Sequence, residues 1–351
     1  MNISQGFGCT PSSNTGSINK FSSRLDWLQG TVNLFPTRFE RLLGELTEIF
    51  IDTFAPDAGY WFSGRSFDHH RVSDRGARVA WNILENGYID AWFMLPAKFL
   101  SGCDRTDTLI HFIAILNQIS FKPTRIDLAI DDFTKSLTWQ HFDSAYDAGH
   151  AHGFRECGLS TSKKERQQNG FTFYMGSKRS EKLYRFYDKS KESNGEIDAF
   201  RLEAQFRDEW SRSVWSILSA AKHSKQLHRA IVNSVCSPIN FYQESVIEGT
   251  NILERTYLDW WEDFKKLVQA EGITLCCGRV KTSIESTMQW VEEQVETSLA
   301  MIENYLDRTS GSFFDWFMAR LENGRKRLTS IHVNKVESAY LNWTPPVDVC
   351  F

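Results

Sequence analysis

At 351 residues, with 41% hydrophobic and 24% charged positions and 26 Phe, 12 Trp and 10 Tyr, the chain is too aromatic for a disordered protein and long enough for two units. Its longest apolar-rich stretch, Leu109 to Ile119, is broken by His111, Asn117 and Gln118 and falls short of the ~18 residues of a bilayer span, which excludes a transmembrane helix. A formal charge of -4 gives no global basic signature, so a polyanion partner has to be met by local patches.

Residues 1–19 are polar and Ser/Gly-rich without an apolar h-region and read as a loose tail, not a secretion signal. Seven cysteines, an odd number without a CxxC pair, argue against a zinc ribbon or a disulfide framework and for reduced thiols in the cytoplasm. The alternation around Leu25 and Trp27 predicts a strand over 25–34. Pro36 then opens a helix, with Phe39, Leu42, Leu43, Leu46, Ile49 and Phe50 on one face, up to about Phe54. Three strand-like runs follow at 59–68, 77–85 and 90–95, with Asn86-Gly87 as a hairpin signal. Thr106 to Ile119 reads as a second amphipathic helix, 124–133 (TRIDLAIDDF) as a strand and 138–149 as a short helix capped by Thr138. Further strands are expected at 170–177, 182–190 and 199–208. From Glu209 the texture changes to 3.6-period segments at 209–234, 253–270, 280–306 and 313–328, with a boundary at 245–252. The order predicts an α+β fold: a mostly antiparallel sheet covered by helices over 20–248, then a smaller helical domain over 249–351. The amphipathic face at 280–306 fits either a homodimer interface or a packed core element.

Strand parity places the chemistry. In TRIDLAIDDF, Arg125, Asp127, Ala129 and Asp131 share one face while Ile126, Leu128 and Ile130 share the other, which sets the carboxylates of Asp127 and Asp131 about 13 Å apart along an ideal strand. In AFRLEAQFRD the same parity puts Arg201, Glu203, Gln205 and Arg207 together. Oxygen ligands of this kind suit Mg²⁺ or Mn²⁺. Periodicity alone favours a solvated face, with the arginines simply pairing with Asp127 and Glu203, because surface ion pairs are common. KLYRFYDKS sets Lys182, Tyr184, Phe186 and Asp188 on one parity and Leu183, Arg185, Tyr187 and Lys189 on the other. A Tyr flanked at i-2 and i+2 by cations has a reason to be reactive; an ordinary half-buried strand Tyr is the competing reading. From Lys163 to Lys191 the segment carries nine cations, Lys178, Arg179 and Lys182 among them, against three acids, with aromatics interleaved, as suits a phosphate backbone with stacked bases. The bland alternative is a solvated hairpin. Arg320 to Lys335 is a second basic stretch. His69-His70, adjacent on a strand, face opposite ways and do not make a metal pair. No GxxxxGK[ST], GxGxxG, GxSxG or HExxH motif occurs, so neither ATP nor nicotinamide is indicated.

Taken in order, SRLDWLQGTV, RIDLAIDD, FYMGSKRSEKLYRFYDK and FRLEAQFR resemble the motifs of the replication initiation factor family, which comprises trans-acting rolling-circle plasmid initiators, some filamentous-phage initiators and related relaxases of conjugative elements. The resemblance covers about Arg24 to Arg207. It implies a sequence-specific, metal-dependent nicking and strand-transfer endonuclease acting on origin DNA, with a host helicase as a further partner. On this resemblance Tyr187 is the nucleophile that forms a 5′-phosphotyrosine and frees a 3′-hydroxyl, with Tyr184 as the rival. Asp127 and Glu203, with Asp131 less secure, become metal ligands; Arg185, Lys189, Arg201 and Arg207 become phosphate contacts. Two other readings remain at this point: a DNA-binding regulator of a mobile element without catalysis, and a Mg²⁺ nuclease that uses water as nucleophile.

Overall fold

The computed structural model describes residues 17–18, 20–62, 64–102, 106–154, 156–164, 167–193, 195–243, 256–270, 288, 291–292, 295–328, 332–333 and 336–337. The chain divides into two units, Met1–Cys276 and Cys277–Phe351.

The first unit is built on one antiparallel sheet. A short β1 (Ser17–Ile18) folds back on the long β2 (Phe21–Leu34). After the Pro36–Phe50 helix come two two-residue strands, β3 (Trp61–Phe62) and β4 (Ser66–Phe67), paired with each other in a small hairpin. Then follow β5 (His69–Val72), β6 (Arg78–Ile83), β7 (Ile89–Pro96) and β8 (Lys122–Asp132). Beyond β9 (Ala151–His152) the main sheet resumes with β10 (Cys157–Lys164), β11 (Gln167–Met175), β12 (Lys182–Asp188) and β13 (Phe200–Arg207). β14 (Asn240–Phe241) pairs with β9. The sheet order is β10-β11-β12-β13-β8-β2-β7-β6-β5, so β8 and β2, distant in sequence, lie side by side at its middle.

Alternation makes the two faces chemically opposite. Leu25, Leu28, Phe93, Leu95, Ile126, Leu128, Ile130, Phe186, Leu202 and Phe206 form a buried apolar face. Helices Pro36–Phe50, Thr106–Gln118, Trp139–Asp147, Asp208–Ser219 and Ser224–Cys236 supply the side chains that pack with it. Phe142 of the third of these stacks on Phe186 with centroids 3.8 Å apart. Pro at its first turn starts the first helix, and Ile51 in the left-handed region (φ 48°) ends it at Phe50, short of the expected Phe54. Thr138 caps the Trp139–Asp147 helix as expected, in a reciprocal box with His141.

Four departures have physical causes. β10 has no counterpart in the hydropathy pattern, because CGLSTSKK is polar and lies at the sheet edge. The segment 59–68 is not one strand; Gly64 (φ 72°) turns it into the β3–β4 hairpin. The run 209–234 is two helices that break at 220–223. The boundary expected at 245–252 lies outside the described residues. The Asp259–Leu267 helix, expected in the C-terminal domain, instead places Trp261 and Phe264 in the first unit's core beside Phe241. The second unit contains helices Glu296–Arg308 and Phe313–Arg325, the latter capped by Ser312, and neither buries a side chain. Residues 280–287 lie outside the description.

β2 bears two irregularities against β8, and the second, at Gln29/Gly30, fits only a residue without a side chain. A Cβ on Gly30 would stand 2.4 Å from both the Lys122 carbonyl oxygen and the Phe121 ring. Gly30→Ala is therefore expected to destabilise the first unit by about 1–3 kcal/mol. Denaturant unfolding measures it; an unchanged midpoint would contradict this account of the β2–β8 seam.

Candidate active site on the open sheet face

The face opposite the helices is polar and lines a cleft of about 980 Å³, bounded by Arg24, Asp26, Lys98, Tyr174, Arg185, Tyr187, Lys189, Lys191, Arg201 and Glu203 among others. β12 sends Arg185 and Tyr187 into it and turns Tyr184 and Phe186 to the helical side. Its neighbour β13 supplies Arg201, opposite Tyr187, and Glu203, opposite Arg185. On β8, Ala129 lies opposite Glu203 and Asp127 two residues earlier. The small Ala129 leaves the Asp127 and Glu203 carboxylates room to share one guanidinium.

That guanidinium belongs to Arg185. Its Nη2 donates to Glu203 Oε1 at 2.5 Å and to Asp127 Oδ2 at 3.1 Å. Arg125 grips the same Asp127 from the side, with Nε to Oδ1 at 2.8 Å and Nη2 to Oδ2 at 2.6 Å. The second oxygen of Glu203, Oε2, accepts the hydrogen bond of the Tyr187 hydroxyl at 3.0 Å. Burial raises the Glu203 carboxyl above the usual carboxylate range against the pull of Arg185, with the charges of Asp26 and Asp127 adding to the rise. Asp127 is raised by burial as well, opposed by Arg125 and Arg185. The Tyr187 phenol is pushed far above its ordinary value, first by burial and then by the Glu203 charge, while Arg201 opposes. In this resting arrangement Tyr187 is a neutral phenol, hydrogen-bonded to a carboxylate that is a better base than a solvated one.

A second ion pair lies one row along. Arg201 donates from Nε to Asp131 Oδ1 at 2.6 Å and from Nη2 to Oδ2 at 2.8 Å, and its Nη1 is 3.5 Å from Asp26 Oδ1. Arg201 is only 1% exposed and Asp131 2%. Asp131, expected as a metal ligand, has both oxygens held by Arg201, and Arg201, expected on DNA, is a buried clamp beneath the cleft.

Asp26 is the cleft carboxylate that strand parity missed. Strict alternation over 25–34 groups it with Leu28, Gly30 and Val32, on the core side. A bulge between Leu25 and Trp27 leaves Asp26 without a partner on β8 and turns it into the cleft. Its Oδ1 is buried and lacks a hydrogen-bond donor.

The basic residues separate into two groups. Lys189 lies by the cleft, with Nζ 5.8 Å from the Tyr187 ring centroid and paired with Glu192; Lys191 is exposed at the cleft wall. Lys178, Arg179, Lys182 and Arg207 lie around the opposite end of β12, about 20 Å along a strand of this length. There Lys182 sits over the Phe154 and Trp210 rings, and Arg207 donates to the Lys178 carbonyl. Tyr184 is fully buried and its hydroxyl donates to the Val235 carbonyl at 2.8 Å. That corrects the expectation of Tyr184 as a DNA-facing ring or rival nucleophile, since no substrate reaches it.

Among the described residues no three His, Cys, Asp or Glu side chains form a ready-made cation cage. The cleft nonetheless fits a hard cation of the kind held by one or two carboxylates plus substrate phosphate. Three carboxylates, Asp26, Asp127 and Glu203, repel one another here, and Asp26 keeps an undonated oxygen. Among the described residues no helix is long and apolar enough to cross a membrane.

The family model described as replication initiation factor matches residues 121–316, more than half of the chain. A solved structure of a rolling circle replication initiator protein from Geobacillus stearothermophilus shares the fold at a TM-score of 0.55. That likeness covers 72% of this chain and 100% of the other, at 17% identity. A search of curated proteins finds no match.

Removing Arg201 strands the buried Asp131 carboxylate. Arg201→Ala is therefore expected to cost about 3–5 kcal/mol, and Asp131→Asn, which leaves the guanidinium stranded, a similar amount. Urea unfolding checks both, and a loss below about 1 kcal/mol for each would mean that the pair is open to solvent.

Proposed function

The chain belongs to the replication initiation factor family, and from that premise we propose that it nicks and rejoins one DNA strand by transesterification at Tyr187. The observation that carries this is the hydrogen bond from the Tyr187 hydroxyl to Glu203 Oε2 at 3.0 Å, inside a cleft walled by cations. A phenol is a poor nucleophile until it loses its proton, and Glu203 is placed to take it as the oxygen closes on phosphorus. As the Tyr187 oxygen–phosphorus bond forms, the bond from phosphorus to the 3′ oxygen breaks. The products are a 5′-phosphotyrosine and a 3′ oxygen that takes up a proton to become the hydroxyl a polymerase extends. The bond energy stays in the phosphotyrosine, so rejoining requires no ATP, in keeping with the absence of nucleotide-binding motifs.

Charge develops on the non-bridging oxygens during attack. Arg185, Lys189 and Lys191 line the cleft with Tyr187, Arg201 lies opposite it on β13, and Arg24 stands on β2 of the same sheet. Mg²⁺ or Mn²⁺ held by Glu203 and Asp26, with Asp26 in the place first expected of Asp131, and by Asp127 once Arg125 releases one of its oxygens, would polarise the scissile phosphate as a Lewis acid. Lys178, Arg179 and Arg207 then serve as DNA contacts away from the reacting phosphate, whereas Lys182, expected with them, shares the strand parity of Tyr184 and Phe186 and rests on the Phe154 and Trp210 rings.

Incubation with a single-stranded origin oligonucleotide and Mn²⁺, followed by denaturing electrophoresis, tests this reading. Wild type is expected to give a covalent adduct, Tyr187→Phe none, and Glu203→Gln an adduct formed about 10²–10⁴-fold more slowly. EDTA is expected to stop the reaction. Cleavage without an adduct would instead indicate a hydrolytic nuclease, and tight binding without cleavage a regulator.

A further inference from the structure

The far half of the sheet carries a second surface that the chemistry at Tyr187 does not use. β8 pairs with β2, β2 with β7 and β7 with β6, so residues in register across these strands share the open face. One such row runs from Arg125 through Gln29 and Met94 to Arg78; the next sets Trp92 between Thr31 and Ala80. The β3–β4 hairpin packs its rings against this end. The Trp61 ring lies 5.2 Å from Trp92 and 5.9 Å from Phe67, and the Arg78 guanidinium stands over it at 4.6 Å. Beside Trp61, Tyr60 and Phe62 are 66% and 62% exposed.

Packing accounts for Trp61, Phe67 and Trp92, which hold one another. It does not account for two large exposed rings in a row, nor for Arg78. Among the described residues Arg78 makes no ion pair, and its Nε is buried without a hydrogen-bond partner. The nearby acids are taken, Asp90 by Arg65 and Asp57 by His69. Exposed ring faces beside a guanidinium that rests on a ring and has no ion pair match unpaired bases joined by phosphates, because every base has a π face and every linkage a charge. A duplex keeps its base faces stacked inside and offers nothing for these rings to cover. The surface shares the open face of the sheet with the cleft: β12 and β6 are five strand spacings apart, about 24 Å, and the Arg78 row lies six residues along β8 from the row of Asp131, Arg201 and Tyr187, about 20 Å, so about 30 Å of strand joins the two.

We propose that Tyr60, Trp61, Phe62 and Arg78 form a track for single-stranded DNA that continues the catalytic cleft across the open face of the sheet. The proposal rests on the reading of the cleft as a DNA site and adds where the rest of the strand lies. The track holds the melted strand by stacking, without base readout, and so keeps the scissile phosphate presented to Tyr187.

Fluorescence anisotropy with labelled oligothymidylates of about 4 and about 16 nucleotides tests it on the full chain. The wild type is expected to bind the longer strand more tightly. The Tyr60→Ala/Phe62→Ala double variant removes two exposed rings and the Tyr60 hydroxyl contact with Ser66, and Arg78→Gln keeps the stem over Trp61; each is expected to lose about tenfold or more of that gain. A gain retained by both variants overturns the track, as does an equal loss on a duplex of the same length, which would mark a phosphate patch. The covalent adduct assay on wild type separates the two readings. An adduct together with a retained gain sinks the track alone, whereas a lost gain without any adduct sinks the nicking chemistry and leaves the track standing.

Discussion

The Arg185 guanidinium is the interaction on which the cleft depends. It joins Asp127 of β8 to Glu203 of β13 through one nitrogen, at 3.1 and 2.5 Å, and thereby orients the Glu203 oxygen that receives the Tyr187 hydroxyl. Two carboxylates brought this close under a protein surface repel each other and lose hydration. Without a cation between them, Glu203 would turn outward or bind a proton, and Tyr187 would lose its partner. The cost is tolerated because the opposite sheet face is apolar throughout and sealed by helices, so the stability of the unit rests there and the open face is free to hold charge under strain.

The two ion-pair systems differ in consequence. Arg201 and Asp131 form a bidentate pair at 1% and 2% exposure, and the remaining Arg201 nitrogen lies 3.5 Å from Asp26, so neither partner is left over for a ligand. Around Arg185 the charges do not close: Asp26 retains an oxygen without a donor, and the carboxyls of Asp127 and Glu203 are both raised. Excess negative charge beside a phenol is unhelpful for attack on a phosphodiester, which is itself anionic. A divalent cation would relieve that excess. The architecture therefore separates a buried clamp from a cluster of unbalanced charge one row away.

Much of the cleft was legible because it lies on regular strands. Parity grouped Asp127 with Arg125 on β8, Glu203 with Arg201 on β13, and Arg185 with Tyr187 on β12, and the helices that cover the other face announced themselves by their 3.6-residue period. Parity failed where the strand is irregular. Asp26 sits at a bulge that shifts the alternation by one, and nothing in a single sequence marks a bulge made without glycine. Alternation also set Tyr184 and Tyr187 on opposite faces without saying which face is inside; that depends on the Ser224–Cys236 helix, whose Val235 carbonyl receives the Tyr184 hydroxyl. Arg201 and Asp131 were on the right face with the wrong task, because burial depth is set by neighbouring strands and not by the pattern within one strand. The polar edge strand β10 left no hydrophobic signal, and the Asp259–Leu267 helix joined the first unit through three-dimensional contacts of Trp261 and Phe264 that periodicity does not reveal.

The most direct test of the central claim is mass spectrometry of the protein after reaction with a single-stranded origin oligonucleotide and nuclease trimming, to find the residue that retains a nucleotide remnant. The account predicts a phosphotyrosine-linked remnant on the peptide bearing Tyr187, the exposed-face hydroxyl held by Glu203. A remnant on any other residue, or cleaved DNA with no remnant on the protein, would contradict it.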